Sequence, residues 1–146
     1  MVAQDNHQIV RNFYDAFNSR DYHRAAGVFS NDCTFKLIGF NTTYRGASEI
    51  RPMLEGWVRA FPDLKLEISN LISSGEWVIV EIKGRGTHRG TLSTPDGDLS
   101  PTGQHVEMHS CDVIQCQNGK ISSVHCYLET GELLKQLGQK VFKGAA

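Results

Sequence analysis

No stretch of this sequence stays apolar over the roughly 18 residues that a membrane-spanning helix needs. Met1 to Asn6 is polar, where a secretory leader would be basic and then apolar. Both absences point to a cytoplasmic protein. Charge of one sign is not in excess either, since 15 Lys and Arg stand against 16 Asp and Glu. Without a basic stripe interleaved with aromatics, nucleic acid is a poor partner, and no basic cluster suits an anionic membrane. The four cysteines, Cys33, Cys111, Cys116 and Cys126, form no Cys-x-x-Cys pair. Three of them sit in apolar, strand-like stretches, so they read as small buried thiols of a reducing compartment. Internal repeats, low-complexity tracts and long linkers are also missing, and residues 1–146 read as one domain. What remains is an ordinary globular composition, 40% hydrophobic and 21% charged.

The apolar pattern divides the chain into helices first and strands afterwards. Ile9, Val10, Phe13, Tyr14 and Phe17 recur at three- and four-residue steps and predict a helix over His7 to Ser19. Asp21 is placed to cap a short second helix carrying Tyr22, Ala25, Ala26 and Phe29. Cys33 to Ile38 is a strand candidate. Ile50, Met53, Leu54, Trp57, Val58 and Phe61 mark a third helix, with Ser48 as N-cap and Pro62-Asp63 as its end. From Leu64 the period becomes two. Strands are expected over Leu64 to Leu71, around Val78 to Lys83, over Val106 to Cys116 and over Ile121 to Leu128. Asn118-Gly119 marks a tight hairpin between the last two. Gly90 to Gly103 reads as a long loop and a possible lid. Thr130 opens a short closing helix that Gly138 ends. The expected class is α+β, with three helices packed on a curved antiparallel sheet and a concave interior suited to a small organic ligand.

Ala60-Phe61-Pro62-Asp63-Leu64, Gly86-Thr87-His88, Pro101-Thr102-Gly103, Asn118-Gly119-Lys120-Ile121 and Leu133-Leu134-Lys135-Gln136-Leu137-Gly138 occur in that order. Together they resemble the SnoaL-like polyketide cyclase family, of the nuclear-transport-factor-2-like superfamily with its cone-shaped α+β barrel. The resemblance runs from about Ile9 to Gly138. It implies a homodimer and a cyclase or isomerase that uses neither metal nor cofactor, with an acidic side chain moving a proton on a carbonyl-bearing, polyketide-like molecule. The family's Asp ahead of its closing helix corresponds to Glu129. Ketosteroid isomerases, of the same superfamily, would place a general base near Leu37, a tyrosine near Phe13 (Tyr14 is adjacent) and an oxyanion-hole Asp at Asp112. Leu37 cannot act as a base, which argues against a steroid isomerase.

Strand parity sorts the remaining candidates. Ile121, Ser123, His125, Tyr127 and Glu129 share one face, and Val106, Met108, Ser110, Asp112 and Ile114 share another. The resemblance turns His88, Asp112, His125, Tyr127 and Glu129 inward. Glu129 is then the expected proton-transfer group. Asp112, His88 or His125 would orient it or bind an enolate oxygen. Phe13, Tyr14, Phe17, Trp57, Phe61, Met108 and Tyr127 are the expected ligand-binding wall. Against these stand plainer readings: Glu129 as an exposed residue at a helix N-terminus, Asp112 as a structural hydrogen-bonding group, and the histidines as satisfied or surface residues. His105-x-Glu107-x-His109 has the makings of a metal site, but a polar outer face or a dimer contact is the better account. A binding module that keeps the pocket and does no chemistry is the alternative to the enzyme.

Overall fold

The computed structural model describes residues 2–139; the ends of the 1–146 span lie outside the described residues. Helix α1 spans Val2–Asn18 and starts earlier than the periodicity suggests, because the polar residues ahead of His7 continue the same helix. Asp21 caps α2 (Tyr22–Gly27) by accepting the Arg24 backbone N–H at 3.1 Å. Strand β1 (Phe29–Leu37) leads through a 3-10 turn to a short edge strand, β2 (Thr42–Arg45). Helix α3 (Ala47–Ala60) begins two residues earlier than Ser48 as N-cap predicts. Gly46 is its N-cap, and Glu49 reaches back to accept the Arg45 N–H at 2.8 Å.

Six strands form the main sheet in the order β2-β1-β8-β7-β4-β3. Here β3 is Lys65–Ser74, β4 is Trp77–Thr87, β7 is His105–Gln117 and β8 is Lys120–Leu128. All pairs are antiparallel except β1 with β8, where the two halves of the chain meet in parallel. At the β7–β8 turn Asn118 and Gly119 take φ of 53° and 75°. Two consecutive positive φ values are what a two-residue hairpin of matching twist requires. Helix α4 (Thr130–Gln136) closes the chain.

Between β4 and β7 the Gly- and Pro-rich segment is not structureless. It holds a small hairpin, β5 (Leu92–Thr94) paired with β6 (Gly97–Leu99), which lies against α3 and buries Leu92. Two ties fasten this strap. Arg89 and Gly90 both donate backbone N–H groups to Ala60 O, at 3.0 and 3.1 Å, satisfying a carbonyl at the end of α3. Gly90 has to be glycine here, because a Cβ would run into the Arg59 carbonyl. The second tie is His88.

The core lies between the helices and the concave sheet face. Phe13, Tyr14 and Phe17 of α1, Ile50, Met53 and Leu54 of α3, and Val78, Val80, Ile82, Val106, Ile114 and Val124 of the sheet are all buried. Among the described residues no helix is long and apolar enough to cross a membrane.

Candidate functional site

Register places four residues side by side across the middle of the sheet: Val80 on β4, Asp112 on β7, Cys126 on β8 and Leu37 on β1. Asp112 is therefore a carboxyl set in an apolar row, and only 5% of it is exposed. Tyr14 arrives from α1 above the sheet, and its hydroxyl donates to Asp112 Oδ2. Asp112 Oδ1 is buried and has no hydrogen-bond partner. A cavity of about 90 Å³ opens in front of this pair. Its wall is almost wholly apolar, with Phe17, Phe35, Leu37, Met53, Trp57 and Met108 among its residues and Ser110 and Cys126 beside Asp112.

Burial governs the protonation states. Desolvation raises the Asp112 pKa, outweighing the Tyr14 hydrogen bond, which lowers it. Desolvation also lifts Tyr14 and Cys126 well above their ordinary values, and the neighbouring Asp112 charge adds to both. The site is a set of three groups that each favour their proton, with one free carboxyl oxygen.

The expected ligand wall divides. Phe13, Tyr14, Phe17, Trp57 and Met108 line the cavity. Phe61 is fully buried and does not line the cavity; its ring stacks on Trp57 at a centroid distance of 6.3 Å and lies tilted against His88 at 5.3 Å. The tyrosine expected near Phe13 is Tyr14 itself. Phe13 packs edge-on against its ring at 5.0 Å, and both side chains face the cavity. Leu37, at the position where a general base would stand, is a buried wall residue.

The expectation that His125, Tyr127 and Glu129 face inward is overturned. All three are exposed, Tyr127 at 48%. The cause is a β-bulge near the start of β8. Cys116 pairs with Ile121 and Gln115 with Ser123, leaving Ser122 as the extra residue, its hydroxyl on Gln115 O at 3.1 Å. One extra residue exchanges the faces of everything beyond it. Ile121 faces inward before the bulge, and Val124 and Cys126 do so after it, with Leu128 on the cavity wall. Glu129 is the N-cap residue of α4 but makes no side-chain cap bond; its backbone N–H bonds His109 O at 2.9 Å.

His88 is fully buried, but outside the cavity. The Thr102 N–H donates to His88 Nδ1 at 3.1 Å, and Thr102 Oγ1 stands 3.0 Å from the same nitrogen. The backbone adds His88 N to Gln104 O and Gly103 N to His88 O. An Nδ1 that accepts an N–H is unprotonated, so the ring is neutral with its hydrogen on Nε2. Desolvation lowers its pKa, which fits that assignment. His88 is the clamp of the strap. His105, Glu107 and His109 lie on the outer face of β7, where Glu107 is held by Arg85 at 3.1 Å and by His109 at 3.3 Å.

Cys126 and Ser110 are cavity residues that the sequence reading did not select as site residues. Ser110 shares the face of Asp112 two residues away, so parity alone carries it. Cys126 was hidden by the bulge.

A curved, mostly antiparallel sheet covered by helices is an α+β fold similar to that of an NTF2-like protein from Burkholderia xenovorans, 20% identical over 94% of this chain and 98% of that one, with a TM-score of 0.72. The chain belongs to the SnoaL-like polyketide cyclase family, whose pattern matches residues 7–137. Its fold is similar to that of AclR from Streptomyces galilaeus, described as a proposed hydroxylase. The two are 23% identical over 97% of this chain and 85% of that one, with a TM-score of 0.81. IdmH from Streptomyces antibioticus, described as a proposed polyketide cyclase, is 22% identical over 92% of this chain and 99% of its own, with a TM-score of 0.76. An LEH-like epoxide hydrolase of M. tuberculosis is 16% identical over 92% and 90%, with a TM-score of 0.71. No curated protein matches the sequence. At these identities the likenesses establish the fold, and activity has to be argued from the site.

Proposed function

We propose that the chain is an acid–base enzyme of the cyclase or isomerase type, acting on a small carbonyl-bearing, polyketide-like molecule, with Asp112 as the proton-transfer group. The observation that carries this reading is the unpartnered Oδ1 of a buried carboxyl at the end of an apolar cavity. A raised pKa makes the ionised carboxylate a stronger base and brings it toward the pH at which it works. In the step, the bond between a ketone's α-carbon and its hydrogen breaks, the proton moves to Asp112 Oδ1, and the electron pair passes into the enolate. Tyr14 holds Oδ2, and in this reading the hydroxyl of Ser110, a lining residue of the same cavity, donates to the enolate oxygen. The enolate then attacks a second carbonyl or is reprotonated elsewhere, and the group that carries the proton returns it.

The test is deuterium exchange at the α-carbon of a simple aryl ketone such as acetophenone in D2O, followed by NMR. The protein should accelerate exchange, and Asp112→Asn should remove that acceleration. The alternative is a binding module. It is favoured by the lining, in which Asp112 is the single carboxylate and Tyr14 and Cys126 both hold their protons. Saturable ketone binding with no exchange would decide for it.

A homodimer is proposed as well. Ile72, Ile79 and Val113 form one cross-strand row on the outer sheet face, and Trp77 on β4 and Tyr127 on β8 are exposed as well. Light scattering of the wild type and of Ile79→Lys tests it: a dimer that becomes a monomer supports this face, and a wild-type monomer rejects it.

A further inference from the structure

We infer that the ligand is elongated, with its carbonyl head at Asp112 and an oxygenated tail laid along a second, outer groove on α3. This rests on the site reading above and names the substrate class. The inner chamber, about 90 Å³, is far smaller than the several hundred Å³ typical of organic-ligand sites. A molecule large enough to cyclise has to extend beyond it. A groove of about 590 Å³ lies next to the chamber, and the two share Leu37, Met53 and Trp57 as common walls. A third concavity, around Ser30 and Lys120, shares no wall residue with the chamber and is no continuation of it.

The groove floor is α3 and its far wall is the strap, through Thr91, Leu92 and Ser93. The floor contains Gly56, in the interior of the helix. Glycine there weakens the helix relative to alanine, through the backbone entropy it loses on folding. Packing does not account for it, because an added Cβ would meet no atom within 4 Å, and its φ is not in the left-handed region. The missing side chain leaves open floor. Of the shared wall residues Trp57 is aromatic, and on the groove side Phe40 stacks on it at 6.3 Å with 7° between the planes. Beyond it the groove is lined by the hydroxyl-bearing Thr43, Tyr44, Ser48, Thr91 and Ser93, with Glu49 and Arg59 also on its walls. The sequence of environments therefore runs from carboxyl to apolar chamber to aromatic neck to hydroxyl-rich groove. It fits an oxygenated chain carrying a ketone at its buried end.

Calorimetry with two ketones tests this: acetophenone, which is head alone, and 4′-(6-hydroxyhexyloxy)acetophenone, which adds a tail. The wild type should bind the tailed ketone at least tenfold more tightly. Gly56→Leu should cancel that advantage and leave acetophenone binding unchanged. Gly56→Ala, which raises helix propensity, should melt no lower than the wild type and lose part of the advantage. Equal binding of the two ketones by the wild type, or an advantage that survives Gly56→Leu, would overturn the groove. Asp112→Asn separates the two ideas, since it should weaken both ketones alike. If it weakens neither while Gly56→Leu still discriminates, the head site is wrong and the groove stands. If neither ketone binds the wild type, both fall.

Discussion

Asp112 and His88 are, among the described residues, the two side chains with a buried polar atom that has no hydrogen-bond partner, and each has its other polar atom held. Burial pushes the carboxyl up and the imidazole down, so both favour their neutral forms. What differs is the surroundings of the free atom. Asp112 lines a cavity with Tyr14 opposite, whereas His88 is pressed against Phe61 and tied to Thr102. A shifted titration therefore does not by itself mark the chemistry, because the packed group serves the architecture as well as the other serves the site.

The sharpest way to break that comparison is to neutralise each group in turn. Asp112→Asn should lower ketone exchange by on the order of 100- to 10,000-fold, the usual contribution of a positioned acid or base. It should not lower stability at alkaline pH. Since the folded pKa of Asp112 stands above the unfolded value of about 3.9, its contribution is fully present below that value and is lost as pH rises through the folded pKa. The melting temperature of the variant relative to the wild type should therefore increase with pH above about 4. A difference that stays flat with pH would show that the carboxyl is not desolvated.

His88→Phe should do the reverse. It leaves the Thr102 N–H without its acceptor, at a cost of about 1–3 kcal/mol in folding stability. Exchange on acetophenone should change only a few-fold, because the ring does not line the chamber. In the wild type the lowered His88 pKa makes stability fall as pH drops below about 6.5 and toward the folded value, a slope that the variant should lack. A variant with intact stability but no exchange would move His88 into the chemistry.

Tyr14→Phe acts between these extremes. Tyr14 donates to Asp112 and lowers its pKa against the larger effect of burial. Removing the hydroxyl should shift the midpoint of the pH–exchange profile to higher pH, and a midpoint that does not move would detach Tyr14 from Asp112.

Much of this was readable in the chain, with failures at identifiable residues. Helix periodicity located Phe13, Tyr14, Phe17 and Trp57, and alternation along Val106 to Ile114 put Met108 and Asp112 on one face. Strand β2 is only four residues, Thr-Thr-Tyr-Arg, too short for alternation to register, and it exists because it pairs with β1. The β5–β6 hairpin hides in a segment whose glycines and prolines signal a loop, and its order comes from distant ties at Ala60 and Thr102. On β8 the alternation breaks at Ser122. Nothing local distinguishes that serine from its neighbour Ser123, and the bulge is visible only in its pairing with β7.

The smallest predicted effect follows from that bulge. Glu129→Gln would be decisive if the side chain faced the cavity, yet Glu129 is exposed and its side chain makes no cap bond to α4. The carboxylate contributes at most a helix-dipole interaction at the start of a seven-residue helix, worth a few tenths of a kcal/mol when exposed. Exchange should stay within about two-fold of wild type, and the melting temperature should barely move, since an exposed substitution away from special features typically costs under about 0.5 kcal/mol. The same assay on Asp112→Asn supplies the contrast. If Glu129→Gln abolishes exchange while Asp112→Asn leaves it intact, proton transfer belongs to the outer end of β8, and the inner face of the sheet is merely its support.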